Sequence, residues 1–327
     1  TDISTVSRID FSNDNATTSV RGPLSTTQRG AAATGNSNYG YYAGGYTPSQ
    51  VSTVSRVDYS NDTATASVKG PLNETKYEFA AVGNADYGYW AGGQYRSSTQ
   101  ERIDYANDTA TATPKGTLPI KISENWGTGD QSYGFYTGGN SQEYHGAPVV
   151  SSVYRVEFSN DTITTKGPLS TDRRYHSATG ARKNALQGSP TFIPRIRWVD
   201  SVAETPSVSA GPAYGYWGGG YNPAHVSTVS RLDFSSDSTA TTPKGNLSAA
   251  RHTLAATGNS THGYFGGGTP SSIVDRIDYG NDTATASPKG PLSLARGQFA
   301  ATGNSNFGYF AGGTPGGPYS TVDRIDY

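Results

Sequence analysis

Arg276-Ile277-Asp278-Tyr279-Gly280-Asn281-Asp282-Thr283-Ala284-Thr285-Ala286-Ser287-Pro288-Lys289-Gly290-Pro291-Leu292 is the stretch from which the rest of the chain can be read. Its opening matches Arg8-Ile9-Asp10-Phe11-Ser12-Asn13-Asp14 and returns at Arg56, Arg102, Arg155, Arg231 and Arg324. Successive copies lie 48, 46, 53, 76, 45 and 48 residues apart. A second block, Tyr39-Gly40-Tyr41-Tyr42-Ala43-Gly44-Gly45, returns at Tyr87, Tyr133, Tyr214, His262 and Phe307, and a Gly-Pro-Leu-Ser block at Gly22 returns at Gly70, Gly167, Gly245 and Gly290. The order of the blocks never changes, and a period of 45–50 residues is that of a propeller blade.

Each unit reads as four short strands. Along Arg8-Ile9-Asp10-Phe11 polar and apolar residues alternate, the period of a pleated strand. Ser12-Asn13-Asp14 is turn chemistry leading to a strand over 16–20, which Gly22-Pro23 ends. Ala32-Ala33-Thr34-Gly35 is small enough for an innermost strand, where blades converge. Asn36-Ser37-Asn38 then turns the chain into the aromatic strand that closes on Gly44-Gly45. No segment carries a helical apolar period, so almost no helix is expected.

The composition agrees. Of 327 residues, 41 are Gly, 18 Pro and 23 Tyr, with 33% hydrophobic. Tyrosine supplies buried area where aliphatic residues are few. The chain has no Cys, which excludes disulfides, thiolate metal sites and cysteine nucleophiles. A net charge of −1 argues against a nucleic-acid partner, and no apolar run is long enough for membrane insertion as a helix.

A strand ending in Gly-Gly, an aromatic on the third strand and a Leu-Ser-x-x-Arg stretch (Leu247 to Arg251, Leu292 to Arg296) together resemble the kelch repeat. Thr63, Ala64 and Thr65 stand where kelch repeats usually carry Trp. The run from Arg276 to Leu292 also resembles tandem repeats in virion proteins of marine bacteriophages. The likeness implies a kelch-like β-propeller on a tail fibre, spike or decoration protein, located on a virion or outside the cell.

The expected architecture is therefore all-β, a single propeller domain over 1–327 built from four-stranded blades. Six intact aromatic-Gly-Gly strands argue for six blades. The segment 181–212 is either an insertion or, through Arg195 to Asp200 and Gly211-Pro212, a degenerate seventh blade. The chain starts and ends on third-strand sequences. An N-terminal strand pair completing the C-terminal blade would close the ring, although residues 4–11 and 320–327 cannot both fill one place.

Successive connections in a propeller alternate between its two faces. The Ser-Asn-Asp and Gly-Asn-Ser turns share one face and barely vary. The second-to-third-strand loops share the other and differ widely, as binding loops on a rigid scaffold do. The candidate binding residues on that face are Tyr46, Tyr95, Arg96, Tyr144, His145, Tyr221, His225 and Tyr319, whose aromatics suit contact with a protein or stacking on a sugar. The recurrent pairs Arg8/Asp10, Arg56/Asp58, Arg102/Asp104, Arg155/Glu157, Arg231/Asp233 and Arg276/Asp278 read as scaffold. A reacting site is unique, whereas six copies suit a ring of charge-assisted bonds that link blades or cap turns.

No catalytic residues, cofactor or metal site can be assigned. The five His show no ligand spacing, Asp58 and Asp62 lack the pattern of a calcium loop, and no nucleophile elbow or phosphate loop is present. Glu143, Glu157 and Glu204 stand outside the repeat without forming a carboxylate pair. Asn-x-Ser/Thr sequons, such as those at Asn61, Asn107 and Asn281, coincide with the turns. The expected role is non-enzymatic recognition of a host-surface glycan or protein, or of other virion or fibre subunits, within a larger assembly. A secreted fibre or surface-layer subunit and a carbohydrate-active propeller enzyme are the alternatives.

Overall fold

The computed structural model describes residues 4, 6–10, 12–94, 97–141, 148–180, 214–268 and 271–314. Within them the chain forms antiparallel sheets of four strands, arranged as the blades of a propeller. From the axis outward, blade I comprises Ala32–Gly35, Tyr39–Ala43, Val54–Asp58 and Ser67–Lys69. Blade II comprises Ala80–Gly83, Tyr87–Ala91, Thr99–Asp104 and Thr113–Thr117. Blade III comprises Trp126–Gly129, Tyr133–Thr137, Val153–Glu157 and Thr162–Lys166. Blade IV comprises Ser177–Gly180, Tyr214–Gly218, Val229–Asp233 and Thr242–Lys244. Blade V comprises Ala255–Gly258, His262–Gly266, Val274–Asp278 and Ser287–Lys289. The last sheet, blade VI, takes Ala300–Gly303 and Phe307–Ala311 from one end of the chain and Val6–Asp10 and Ser19–Val20 from the other.

This closure places Val6 opposite Ala311 and Arg8 opposite Tyr309, so the N-terminal copy of the third strand fills the place that two copies contest. Residues 320–327, the other copy, lie outside the described residues. Residues 181–213 do too, but the strands that flank them are neighbours in one sheet: Ser177 pairs with Gly218 and Gly180 with Gly215. The segment thus sits inside the hairpin between the first and second strands of blade IV.

Helix is confined, among the described residues, to three single 3-10 turns at Tyr105–Asn107, Phe234–Ser236 and Tyr279–Asn281. The outer strand of blade VI is shorter than the sequence suggests, Ser19–Val20, because Ala16 N–H still closes a turn on the Asn13 carbonyl at 3.3 Å.

The core is divided among the joints between blades. Tyr41, Val54 and Ala32 of blade I pack with Trp90, Ile103 and Ala112 of blade II, and corresponding clusters fill every joint round to blade VI against blade I. Second strands are buried on both sides, so they read Tyr-Gly-Tyr-Tyr-Ala rather than alternating apolar with polar. At five joints among the described residues the aromatic that follows a third strand stacks on the central aromatic of the preceding blade's second strand. The ring centroids lie 5.0 Å apart for Tyr59 and Tyr309, 4.6 Å for Tyr105 and Tyr41, and 4.5 Å for Phe234 and Phe135.

The Gly-Gly pair leaves each second strand with both residues in the left-handed region, φ 63° and 106° at Gly44 and Gly45. Gly45 N–H donates to the Lys76 carbonyl of the next blade's approach at 2.7 Å. The Gly-Pro motif has a similar purpose. Gly70 N–H donates to the Asp108 carbonyl at 2.8 Å, and a Cβ on Gly70 would collide with the Ala110 backbone of blade II.

The third-strand charges divide their work between linking blades and capping turns. Every Arg reaches forward to the Asp of the next blade's turn. Nη1 to Oδ distances are 2.7 Å for Arg8–Asp62, 2.6 Å for Arg56–Asp108, 3.0 Å for Arg102–Asp161, 2.8 Å for Arg155–Asp237, 2.7 Å for Arg231–Asp282 and 2.5 Å for Arg276–Asp14. The acidic residue two places on caps its own turn. Asp58, Asp104, Asp233 and Asp278 each accept a backbone N–H two residues ahead, at 2.8–2.9 Å, and Glu157 accepts the Ser159 hydroxyl at 3.3 Å. The side chain of Asp10 lies outside the described residues.

Candidate functional site

Inner strands begin on the face that carries the varied loops, and the residue two places before each has a left-handed backbone. These residues are Gly30, Glu78, Glu124, Tyr175, Thr253 and Gln298, with φ between 51° and 62°. That conformation turns each N–H toward the carbonyl of the equivalent residue one blade back. Gly30 donates to Gln298 at 2.9 Å, Glu78 to Gly30 at 2.8 Å, Glu124 to Glu78 at 2.7 Å, Tyr175 to Glu124 at 3.2 Å, Thr253 to Tyr175 at 2.8 Å and Gln298 to Thr253 at 3.0 Å. A closed circle of backbone hydrogen bonds therefore rims the axis. Its backbone is uniform, yet its side chains all but abandon the repeat.

Two carboxylates stand side by side on this rim. Glu78 accepts from Gln94 Nε2 at 2.6 Å and from Gln298 Nε2 at 3.1 Å. Glu124 accepts from the same Gln94 nitrogen at 3.3 Å and from Arg174 Nη1 at 3.0 Å. One amide nitrogen thus spans both acids, which places a pair of their oxygens within about 6 Å. Their surroundings differ. Burial pushes the Glu78 carboxyl up, and the Glu124 charge adds to that push, against the opposing hydrogen bonds of Gln94 and Gln298 and the charge of Arg29. Glu124 instead has a guanidinium in contact.

An aromatic shelf continues from Arg174. Its guanidinium lies 5.4 Å from the ring centroids of both Tyr175 and Tyr221. Tyr221 lies 5.8 Å from His225 and 5.9 Å from His252, whose rings are 4.4 Å apart. Burial, with the charges of His225 and Arg174, holds the His252 imidazole below its usual pKa, so at neutral pH it is an uncharged ring. On the other side of the acids, Tyr46 packs edge-on to Tyr77 at 5.5 Å beneath the Arg29 guanidinium, 4.6 Å from its ring.

Of the candidate binding residues, the structure joins Tyr221 and His225 into one cluster and puts Tyr46 beside Glu78's neighbour Tyr77. Tyr95, Arg96, Tyr144, His145 and Tyr319 lie outside the described residues. Sequence reasoning passed over Glu78, Gln94, Glu124, Arg174, Tyr175, His252 and Gln298. A signal for the acids existed: the three positions before Ala-Ala-Thr-Gly or its equivalent vary from copy to copy in an otherwise regular repeat. Of the acids outside the repeat, Glu157 ends the third strand of blade III toward the opposite face, and Glu143 and Glu204 lie outside the described residues.

The axial channel itself is an unsuitable ligand site. Its larger cavity, about 90 Å³, is lined by Thr34, Thr128, Thr179, Thr257 and Thr302 with glycine and alanine backbone. Small-molecule sites are several-fold larger, and this volume holds about three waters. The uniform face is equally plain. Asn36, Asn84, Asp130, Asn259 and Asn304 spend their Oδ1 atoms on backbone N–H groups of their own turns, at 2.7–3.0 Å. No family model and no curated protein matches the chain.

Proposed function

We propose that the chain is a kelch-like recognition module that binds a carbohydrate at the axial mouth of its varied-loop face, as part of a virion appendage. The observation that carries this reading is local loss of symmetry. A uniform backbone circle presents two carboxylates and two amides beside the Tyr175, Tyr221, His225 and His252 rings. Carboxylates and amides suit sugar hydroxyls, and aromatic faces suit the apolar face of a pyranose. The appendage, with other virion or fibre subunits as partners, rests on the resemblance of the repeats alone; a secreted fibre would present the same face.

Binding to an array of bacterial surface glycans tests the reading. Tyr221→Ala and Glu78→Ala are expected to weaken the glycans bound by the parent chain at least tenfold, whereas Val68→Ser, on an exposed outer strand, leaves them unchanged. Unaltered binding in both site variants, or an array that captures nothing, overturns the assignment.

A second reading has one observation in its favour. Oxygens of Glu78 and Glu124 lie within about 6 Å of each other, which admits the spacing of about 5–5.5 Å in retaining glycosidases, and burial raises the Glu78 carboxyl as a proton donor's is. Release of reducing ends from a bound glycan, abolished by Glu124→Gln, would replace recognition with hydrolysis.

A further inference from the structure

The loops that follow the second strands of blades I and IV are near copies of each other, and these two blades stand on opposite sides of the axis. Gly44 to Val54 and Gly219 to Val229 are identical at eight of eleven positions, sharing Gly-Gly-Tyr-x-Pro and Val-Ser-Thr-Val. Their backbones agree as well. Val51 N–H donates to the Gly45 carbonyl and Val226 N–H to the Gly220 carbonyl, both at 3.0 Å. Tyr46 pairs with Gln50 and Tyr221 with His225, each closing a short hairpin.

In each hairpin the tyrosine pairs with an arginine on the approach to the same blade's inner strand. Tyr46 N–H donates to the Arg29 carbonyl at 2.9 Å, and Tyr221 N–H to the Arg174 carbonyl at 3.0 Å. The side chains follow the backbone, with each guanidinium against the ring it is paired with, 4.6 Å from the Tyr46 centroid and 5.4 Å from that of Tyr221. The fold does not require this pair. Tyr77 with Gln94, Ser123 with Asn140 and Gly297 with Thr314 hold the same backbone positions in blades II, III and VI. Both tyrosines are only half-buried and keep surface open to a ligand.

The two acids lie between these platforms. Along the rim from blade I to blade IV the order is Arg29, Glu78, Glu124 and Arg174. The charge of Arg29 acts on Glu78, Arg174 Nη1 meets Glu124 at 3.0 Å, and Gln94 Nε2 bridges both acids at the centre. The arc therefore reads the same from either end: ring, cation, acid, amide, acid, cation, ring. Rim neighbours joined by one hydrogen bond lie about 5 Å apart, as paired strands do, so Gly30 and Tyr175, opposite on a circle of six, are about 10 Å apart. Tyr46 and Tyr221 continue the second strands, one layer farther from the axis. A single pyranose is too small to touch both platforms, whereas a chain of linked sugars can.

We propose that the mouth binds an internal stretch of a linear polysaccharide, about three consecutive units long, laid along this arc from the Arg29–Tyr46 platform to the Arg174–Tyr221 platform. The outer units rest on the two tyrosines, and the middle unit donates its hydroxyls to Glu78 and Glu124. The inference rests on the carbohydrate reading above and adds to it the kind of glycan. Like platforms suit like units, as a repeating polymer presents, and an arc with like ends does not select a terminal sugar. The middle unit carries no acidic group, which the paired carboxylates would repel. Once one platform is occupied the second is engaged within the same complex, so affinity grows with chain length until both are covered.

Calorimetric titration of the intact chain with oligosaccharide ladders of two to eight units, cut from linear glucans, mannans, galactans, chitin and alginate, tests the inference. The expected result is a neutral ladder whose affinity rises about tenfold or more between two and four units and then levels off. Tyr46→Ala and Tyr221→Ala are each expected to return a six-unit ligand to the affinity of the two-unit one. A disaccharide bound as tightly as longer chains, dependence on Tyr221 alone, or tightest binding of the acidic alginate ladder overturns the inference and leaves carbohydrate recognition standing. Silence of every ladder overturns both. The length dependence is read on the unaltered protein, so the inference stays falsifiable even where a tyrosine variant misfolds.

Discussion

At the scale of single residues, the most repeated device is a carboxylate at each joint, approached from the blade before it by two cations and, at every joint but one, by a phenol. Asp108 receives Arg56 at 2.6 Å, Lys69 at 3.2 Å and the Tyr41 hydroxyl at 2.9 Å. Burial alone would raise its pKa, but the hydrogen bonds from Tyr41 and Lys69 and the charges of Arg56 and Lys69 outweigh burial and hold it below 3.8. Asp282 is held down in the same way. A buried ion pair seldom contributes much net stability against an apolar alternative. Its value here lies in geometry, because only the correct neighbour and register bring three donors to one carboxylate. Asp237 is the exception: Arg155 lies at 2.8 Å and Lys166 at 3.1 Å, but the position of Tyr41 is taken by Phe135. Phe135→Tyr should place a hydroxyl on Asp237 and stabilise the protein by about 1 kcal/mol, read as a higher denaturant midpoint with unchanged slope. A destabilised variant would show that the stacked Phe135 and Phe234 leave no room for the oxygen. The alternation in Arg8-Ile9-Asp10 told which residues share a strand face. It could not tell that each arginine would serve the following blade, since that partner lies about one repeat away and is chosen by packing.

At the scale of elements, a blade is too thin to bury its own side chains, and its stability comes from the joints. Ile277 illustrates this. It is 2% exposed and packs among Tyr216, Val229, Leu247, Leu254 and Phe265, residues of blades IV and V. Ile277→Ala should cost about 2–5 kcal/mol in a chemical-denaturation curve, through lost transfer energy and the cavity left in the joint. A cost below 1 kcal/mol would mean that the joint collapses onto the gap. The strands, their order and the Gly-Gly breaks were legible from turn residues and alternation, both of which act over a few residues. The start of the outer strand in blade VI was not, because the Asn13 turn extends farther than its composition implies.

At the scale of the whole molecule, one circle of backbone hydrogen bonds and one circle of ion pairs hold the ring on opposite faces. The ion-pair circle predicts the response to acid. Asp108 and Asp282 have folded-state values below their unfolded 3.8, so their contribution is complete above that pH and declines as pH falls through the folded values. The melting temperature should therefore be flat above about pH 5 and fall steeply below about pH 4. A decline beginning near pH 6 would implicate histidines instead. The carboxylate pair at the mouth belongs to this scale too. Glu78 and Glu124 come from different blades, and it is the shared rim that turns both toward Gln94.

What the amino-acid sequence determined alone is the blade: the order of its strands, its turn positions and the split between a uniform and an individual face, all set by neighbours along the chain. Only the tertiary structure decided which aspartate each arginine meets, that residues 181–213 interrupt a hairpin of blade IV, and that two acids converge at the axis. Those outcomes depend on contacts between repeats, and such contacts exist only once the ring has closed.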